Sequence, residues 1–181
     1  MTSIRIGLLL PPGFATLSFA PLCAFEAANV ALGEPHYEVH VVSPAGGPIV
    51  NSFGMQIETE CAYDFEFDTL IVGSAPDTRK PPKAVLTYLQ RAFTKTRRVA
   101  SICVGAFILG EAGLLDGRRV TIFGCRDGTR TTGSRDARRV EEVMARRPPD
   151  ETCSWCRPPL HFSAKLGDCS GRSPGILLME Q

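Results

Sequence analysis

The chain has 181 residues, 44% of them apolar, and a formal net charge of +1. That balance suits one globular domain with a sizeable core and argues against a nucleic-acid surface spread over the whole chain or an acidic tail. No apolar run approaches the roughly 20 residues of a membrane helix, and the short run at residues 4–10 leads into Pro11-Pro12-Gly13 without a signal-peptide pattern, so no membrane contact and a cytoplasmic location are expected.

Residues 3–10, SIRIGLLL, read as a first strand buried on both faces. Pro11-Pro12-Gly13 stops it. A helix is predicted over residues 18–32, with Ser18 as its N-cap and Leu22, Phe25, Ala28, Asn29 and Leu32 along one side. Gly33 and Pro35 end it. Residues 37–42, YEVHVV, read as a second strand. After the Pro- and Gly-rich loop 44–48, residues 49–50 and 55–60 are expected to pair as a small hairpin around Ser52-Phe53-Gly54.

Residues 69–72 form another short buried strand, followed by the loop Gly73-Ser74-Ala75-Pro76-Asp77. Pro81-Pro82 opens a helix to about residue 96, burying Val85, Leu86, Leu89, Ala92 and Phe93. Residues 99–102 are a strand that runs into Cys103-Val104-Gly105-Ala106. The next helix carries Phe107, Ile108, Leu109, Ala112 and Leu115 on one face. Residues 120–123 read as one more strand.

Alternating buried strands and helices predict an α/β fold: a flavodoxin-like, doubly wound, mainly parallel sheet with helices on both faces. In such sheets, sites lie beyond the C-terminal ends of the strands. Three loops are therefore expected to converge: residues 11–18, 73–77 and 103–106. Cys103 then stands where a strand turns into a helix, and N–H groups at a helix start favour a thiolate. It is the candidate nucleophile or reactive pocket thiol; the plain alternative is a small buried hydrophobe. Gly105 leaves room for a close approach. The backbone of Gly73, Val104 and Gly105 supplies candidate oxyanion-type donors, although Gly73 could equally serve only a tight turn. Gly13, Ser18 and Ser74 are candidate ligand-pocket residues, with Ser18 either a ligand-facing hydroxyl or a cap.

The domain is expected to span residues 1–123, leaving a divergent tail at 124–181. The tail is rich in Arg, Cys and Pro with little periodicity, so it reads as irregular and poorly ordered or as translated in a shifted frame. Within it, only residues 175–179 are apolar enough to pack. Cys153, Cys156, His161 and Cys169 resemble a zinc knuckle in their first three ligands, but the final spacing is too long; a chance cluster is preferred, and no metal or cofactor is expected. The tail arginines are interleaved with Asp127, Asp136, Glu141 and Glu142, so they read as a solvated face. The seven cysteines, an odd count, are taken as free thiols, with Cys23 and Cys61 packing as small hydrophobes.

The stretch SICVGAFILGEAGLLDGRRVT resembles the cysteine-elbow region of the DJ/PfpI superfamily, which shares the class I glutamine amidotransferase fold. IGLLLPPGFATLSFAPLCAFEAAN, PAGGPIVNSFGM and DTLIVGS resemble the amidase-like N-terminal domain of AraC-family, GlxA-like regulators. The resemblance covers about residues 3–122. It implies that Cys103 lies at the pocket, in the place of the reactive cysteine of enzymatic relatives such as isonitrile hydratases. Those relatives use an acidic residue on the first loop or helix. Ser18 stands in that position here, and no Asp or Glu occurs between Arg5 and Glu26. They also carry a histidine after the strand that follows the elbow helix, where this chain reads Thr121-Ile122-Phe123-Gly124.

The resemblance therefore implies, first, a ligand-sensing and oligomerising domain of a GlxA-like regulator without its DNA-binding helix-turn-helix. Such a chain would bind a small molecule, self-associate as a homodimer and bind no DNA alone. Two alternatives stay open: a cysteine-dependent hydrolase or hydratase of the same superfamily, and a truncated fragment without activity.

Overall fold

The computed structural model describes residues 3–75 and 81–116, and the backbone of residues 176–180. Seven strands form one sheet: β1 (Ile4–Leu9), β2 (Tyr37–Ser43), β3 (Gly47–Val50), β4 (Gln56–Cys61), β5 (Thr69–Val72), β6 (Arg98–Ile102) and β7 (Ile176–Glu180). Their order is β3-β4-β2-β1-β5-β6-β7. The five strands from β4 to β6 run parallel, and β3 and β7 add antiparallel at the two ends. Among the described residues there are three α-helices: α1 (Ala20–Leu32), α2 (Lys83–Phe93) and α3 (Gly105–Glu111).

The central strands are apolar throughout because both of their faces are covered. Leu9, Leu70, Val72 and Val99 point to one face and pack with Val85, Tyr88 and Leu89 of α2 and Ile108 and Leu109 of α3. Their neighbours Ile6, Leu8, Leu10, Ile71, Ala100 and Ile102 point to the other, against Phe14, Phe19, Leu22 and Phe25. Each such fully buried side chain stabilises the fold by about 1.5–3 kcal/mol relative to exposure. This is the flavodoxin-like arrangement that the apolar runs predict, with α1 on one face and α2 and α3 on the other.

Local chemistry sets the ends of these elements. Gly33 closes α1 in the left-handed region, at φ +70°, its N–H donating to the carbonyls of Asn29 and Val30. Asn29 joins α1 to β2: its Nδ2 donates to the Tyr37 carbonyl and its Oδ1 accepts the Tyr37 N–H, both at 2.8 Å. Gly7 in β1 makes room for Phe67, whose ring would lie 2.8 Å from a Cβ there.

Two expectations change at this level. The helix does not begin at Ser18: residues Thr16–Phe19 form a separate 3-10 turn and α1 starts at Ala20, with no side-chain cap. Cys23 is exposed on α1 and not packed, whereas Cys61 is half-buried with its thiol 3.5 Å from the Pro44 carbonyl. In the tail, β7 pairs with β6 from Ile102↔Ile176 to Arg98↔Glu180, on the stretch the sequence marks as apolar enough to pack. The strand expected at 120–123 and the rest of the tail lie outside the described residues.

Candidate functional site

The loops that follow β1, β5 and β6 meet at the point where the strand order reverses. From β1 the chain turns to α1 on one face, and from β5 to α2 on the other, which makes this the junction where sheets of this kind carry their sites. A chain of short contacts spans it. The Ser18 hydroxyl is buried between the loops, accepting the Ser74 N–H at 2.9 Å and donating to the Ser74 carbonyl at 3.2 Å. The Ala15 N–H donates to the same carbonyl at 2.7 Å. A Cβ on Gly73 would lie 3.0 Å from the Ser18 hydroxyl, and one on Gly105 would lie 2.8 Å from the Gly73 carbonyl oxygen. The first loop, the β5 loop and the elbow are thus in contact through backbone and one serine.

Cys103 sits at the reversal from β6 into α3 with φ +49°, and among the described residues it alone is a non-glycine in the left-handed region. For an L-residue that conformation costs about 1–2 kcal/mol. It is held there by its neighbours: Ala106 N–H donates to the Cys103 carbonyl at 3.3 Å and Phe107 N–H to the Val104 carbonyl at 3.0 Å. The thiol is free and half-buried against the Ile6, Leu10 and Ile102 cluster.

The other expected site residues fall as follows. Gly73 is not a free oxyanion donor: its N–H is spent on the Leu9 carbonyl at 2.8 Å, continuing the β1–β5 ladder. What it supplies is clearance. Ser18 is not a cap and is fully buried, so its hydroxyl acts as a tie between loops. Ser74 is buried beside it. Gly13, at φ +71° with open space where a Cβ would go, donates to the Val50 carbonyl at 2.9 Å. Val104 precedes α3 as its N-cap, half-buried.

Sequence reasoning missed Asn51 and Ser101. Asn51 is buried and builds the hairpin tip, its Oδ1 accepting the N–H groups of Phe53 and Met55 and its Nδ2 reaching Thr16 Oγ1 at 3.3 Å. An Asn before a Ser-Phe-Gly turn is a signal for such a role. Ser101 Oγ is buried in β6 without a hydrogen-bond partner, which no local pattern announces. Among the described residues no group of three or more His, Cys, Asp or Glu could hold a metal; Cys153, Cys156, His161 and Cys169 lie outside them. No helix among them is long and apolar enough to cross a membrane.

The sheet and its helices are found in known proteins. The chain belongs to the DJ-1/PfpI family, whose profile matches residues 18–137. It is 36% identical over 126 residues to the HTH-type transcriptional regulator GlxA of Rhizobium meliloti, covering 65% of this chain and 38% of that one. It is 30% identical over 137 residues to the deglycase PfpI of Pyrococcus furiosus, covering 70% of this chain and 82% of that one. The fold matches a DJ-1 superfamily protein from Agrobacterium tumefaciens with a TM-score of 0.51 at 26% identity, over 65% of this chain and 62% of that chain. The chain thus spans well under half the length of the regulator and most of the length of the deglycase.

Proposed function

We propose that this chain is a ligand-sensing and oligomerising domain of the GlxA type, in which Cys103 and the loops at residues 11–18 and 73–75 receive a small metabolite. Operator binding is the work of a separate helix-turn-helix, and the unit that senses is a homodimer. One observation carries the preference for sensing over catalysis. Ser18 stands where the resemblance puts an acidic residue, and its hydroxyl is committed to both backbone groups of Ser74. A nucleophilic thiol needs a partner that moves a proton, and a serine tied in this way holds loops together without doing so. Among the described residues, His36 and His40 sit before and within β2, on no loop of the cluster.

The test is a screen of small metabolites by thermal shift on the full chain, with each hit then followed for turnover by NMR. A sensor is stabilised by a compound it leaves unchanged, and Cys103→Ala alters that binding. Turnover that disappears in Cys103→Ala would replace this reading with the hydrolase or hydratase alternative. The strained φ of Cys103 is the feature that favours that alternative.

A further inference from the structure

Helix α1 is apolar on nearly every side. Glu26 is its one charged residue among thirteen, and none of the thirteen is buried. The inner side, with Leu22 and Phe25, packs on the sheet. The outer side is exposed and carries Ala20, Cys23, Ala24, Ala27 and Ala31, spaced for one helix face, with Val30 beside them at 77% exposure. A soluble helix with one partnered face ordinarily turns charged and polar residues to water on the other, and a helix apolar all round is a covered one.

The apolar surface continues past the start of the helix. Leu17 is exposed in the 3-10 turn that leads into α1. The hairpin tip stands beside that turn, because Asn51 Nδ2 reaches Thr16 Oγ1 and Ser52 N–H donates to the Phe14 carbonyl. By strand alternation Met55 shares a side of the sheet with Ile57, and Ile57 packs in the cluster that α1 covers. Phe53 is 75% exposed and Met55 58%, although Asn51 fixes the backbone of both. Phenylalanine and methionine are enriched at the cores of interfaces, and here a rigid turn presents one of each.

Charge and spacing choose the occupant. The 3-10 turn, α1 and the hairpin tip carry no cation and one carboxylate, Glu26. They offer a charged partner nothing to read, and a net charge of +1 lets two copies meet without general repulsion. Interfaces between identical chains are also the more apolar kind. Two α1 helices packed antiparallel about a two-fold axis complement one another. Leu17, Phe53 and Met55, at the start of α1, then meet Val30 of the partner subunit near its end. Midway between Leu17 and Val30 lies the Cys23–Ala24 step, where small side chains let two backbones approach. Glu26 falls across from Pro21 of the partner subunit and not from its own copy, so like charges do not meet.

We infer that the outer side of α1, with Leu17 and the hairpin tip, is the face through which two copies of this chain join, with Cys23 beside the two-fold axis. This placement rests on the homodimer of the proposed function and needs no ligand at Cys103. The hairpin tip grips the first loop, which also lines the candidate site, so interface and site share an element.

The test is sedimentation of the full chain, paired with a short bis-maleimide that bridges thiols. Wild type is expected to sediment as a dimer and to be bridged through Cys23, which is exposed. Cys23→Ser is expected to remain a dimer and lose the bridge. Ala24→Arg sets two cations together at the axis and is expected to weaken the dimer by about tenfold or more, with far-UV circular dichroism unchanged because Ala24 is exposed. Should Ala24→Arg fail to fold, Phe53→Ser decides, with a loss of about tenfold expected for an aromatic anchor. A folded Ala24→Arg chain that dimerises as tightly as wild type, or a dimer that is not bridged at Cys23, overturns this face and leaves the homodimer standing. A wild-type chain that sediments as a monomer overturns both.

Discussion

The Ser18 hydroxyl bonds to both backbone groups of Ser74, accepting the N–H at 2.9 Å and donating to the carbonyl at 3.2 Å, so one side chain joins the loop after β1 to the loop after β5. Both residues are buried. Ser18→Ala leaves the Ser74 N–H without this partner, and an unsatisfied buried donor costs about 1–3 kcal/mol. The Ser74 carbonyl keeps its bond from Ala15, so the loss belongs mainly to the donor. Denaturant unfolding is expected to show that drop in stability, and Ser18→Thr, which restores the hydroxyl, is expected to recover part of it.

Gly105 is the point where the elbow touches β5. A Cβ there meets the Gly73 carbonyl oxygen at 2.8 Å and the Val72 carbonyl oxygen at 2.9 Å. Both obstacles are backbone, so the added methyl displaces α3 instead of a side chain. Helix propensity favours Ala over Gly by about 1 kcal/mol, but overpacking of this kind costs about 1–3 kcal/mol. Gly105→Ala is expected to lower Tm and to raise the rate at which Cys103 reacts with a thiol reagent. A stabilised Gly105→Ala variant would mean that the elbow does not press on β5.

Ser101 presents a different case, because its hydroxyl is buried in β6 and unpaired. Removing an unsatisfied polar group removes its desolvation penalty, while the cavity left by one oxygen is small. Ser101→Ala is therefore expected to match or exceed wild-type stability, by up to about 1 kcal/mol. A loss of more than that in thermal unfolding would show that the hydroxyl has a partner in solution.

Much of this fold is legible in the chain because its strands are covered on both faces. A run such as Ile4–Leu9 or Thr69–Val72 then needs no alternation to be read as buried. The hairpin is visible for a local reason too, since Ser52-Phe53-Gly54 is turn chemistry, although sequence reasoning misses the buried Asn51 that caps the turn. The misread residues are those whose partners are distant in sequence. Ser18 looks like a cap because a polar residue precedes an apolar helix; its actual partner, Ser74, lies 56 residues away. Gly73 looks like a free donor until Leu9 of the neighbouring strand takes its N–H. His40 reads as one more residue of an alternating strand, and only the pairing of β2 with β4 sets Glu60 against it.

The conformation of Cys103 gives a test that separates strain from chemistry. At φ +49° any side chain with a Cβ is strained, and glycine is not. Cys103→Ala and Cys103→Gly both remove the sulfur and its contacts with the Ile102 cluster. The glycine variant is expected to be the more stable of the two by about 1 kcal/mol, despite its larger unfolded-state entropy, because the left-handed penalty it relieves is about 1–2 kcal/mol. Calorimetry of the pair checks this. An alanine variant as stable as the glycine variant would show that the elbow relaxes once the thiol is gone.

Asp68 sets an acid limit on stability. Two hydrogen bonds from Arg97, at 2.7 and 2.8 Å, are the main reason its carboxyl lies below the ordinary value of 3.8, against a smaller opposing effect of desolvation. The unfolded chain therefore binds the proton more readily than the folded one. The stabilisation is fully present above the ordinary value and is lost as the pH falls through the lower folded-state value. The pair is partly exposed, so its worth is about 0–1 kcal/mol. The same residue also supplies backbone bonds that hold the starts of β1, β5 and β6 together, its N–H to Arg5 and its carbonyl to Arg98, and these survive a side-chain change. Asp68→Asn is thus expected to cost up to about 1 kcal/mol at neutral pH and almost nothing once the pH has fallen below the lowered folded-state value, so that the wild-type and variant stability curves converge on acidification. Curves that stay parallel down to acid pH would assign the effect of the substitution to packing and not to the ion pair.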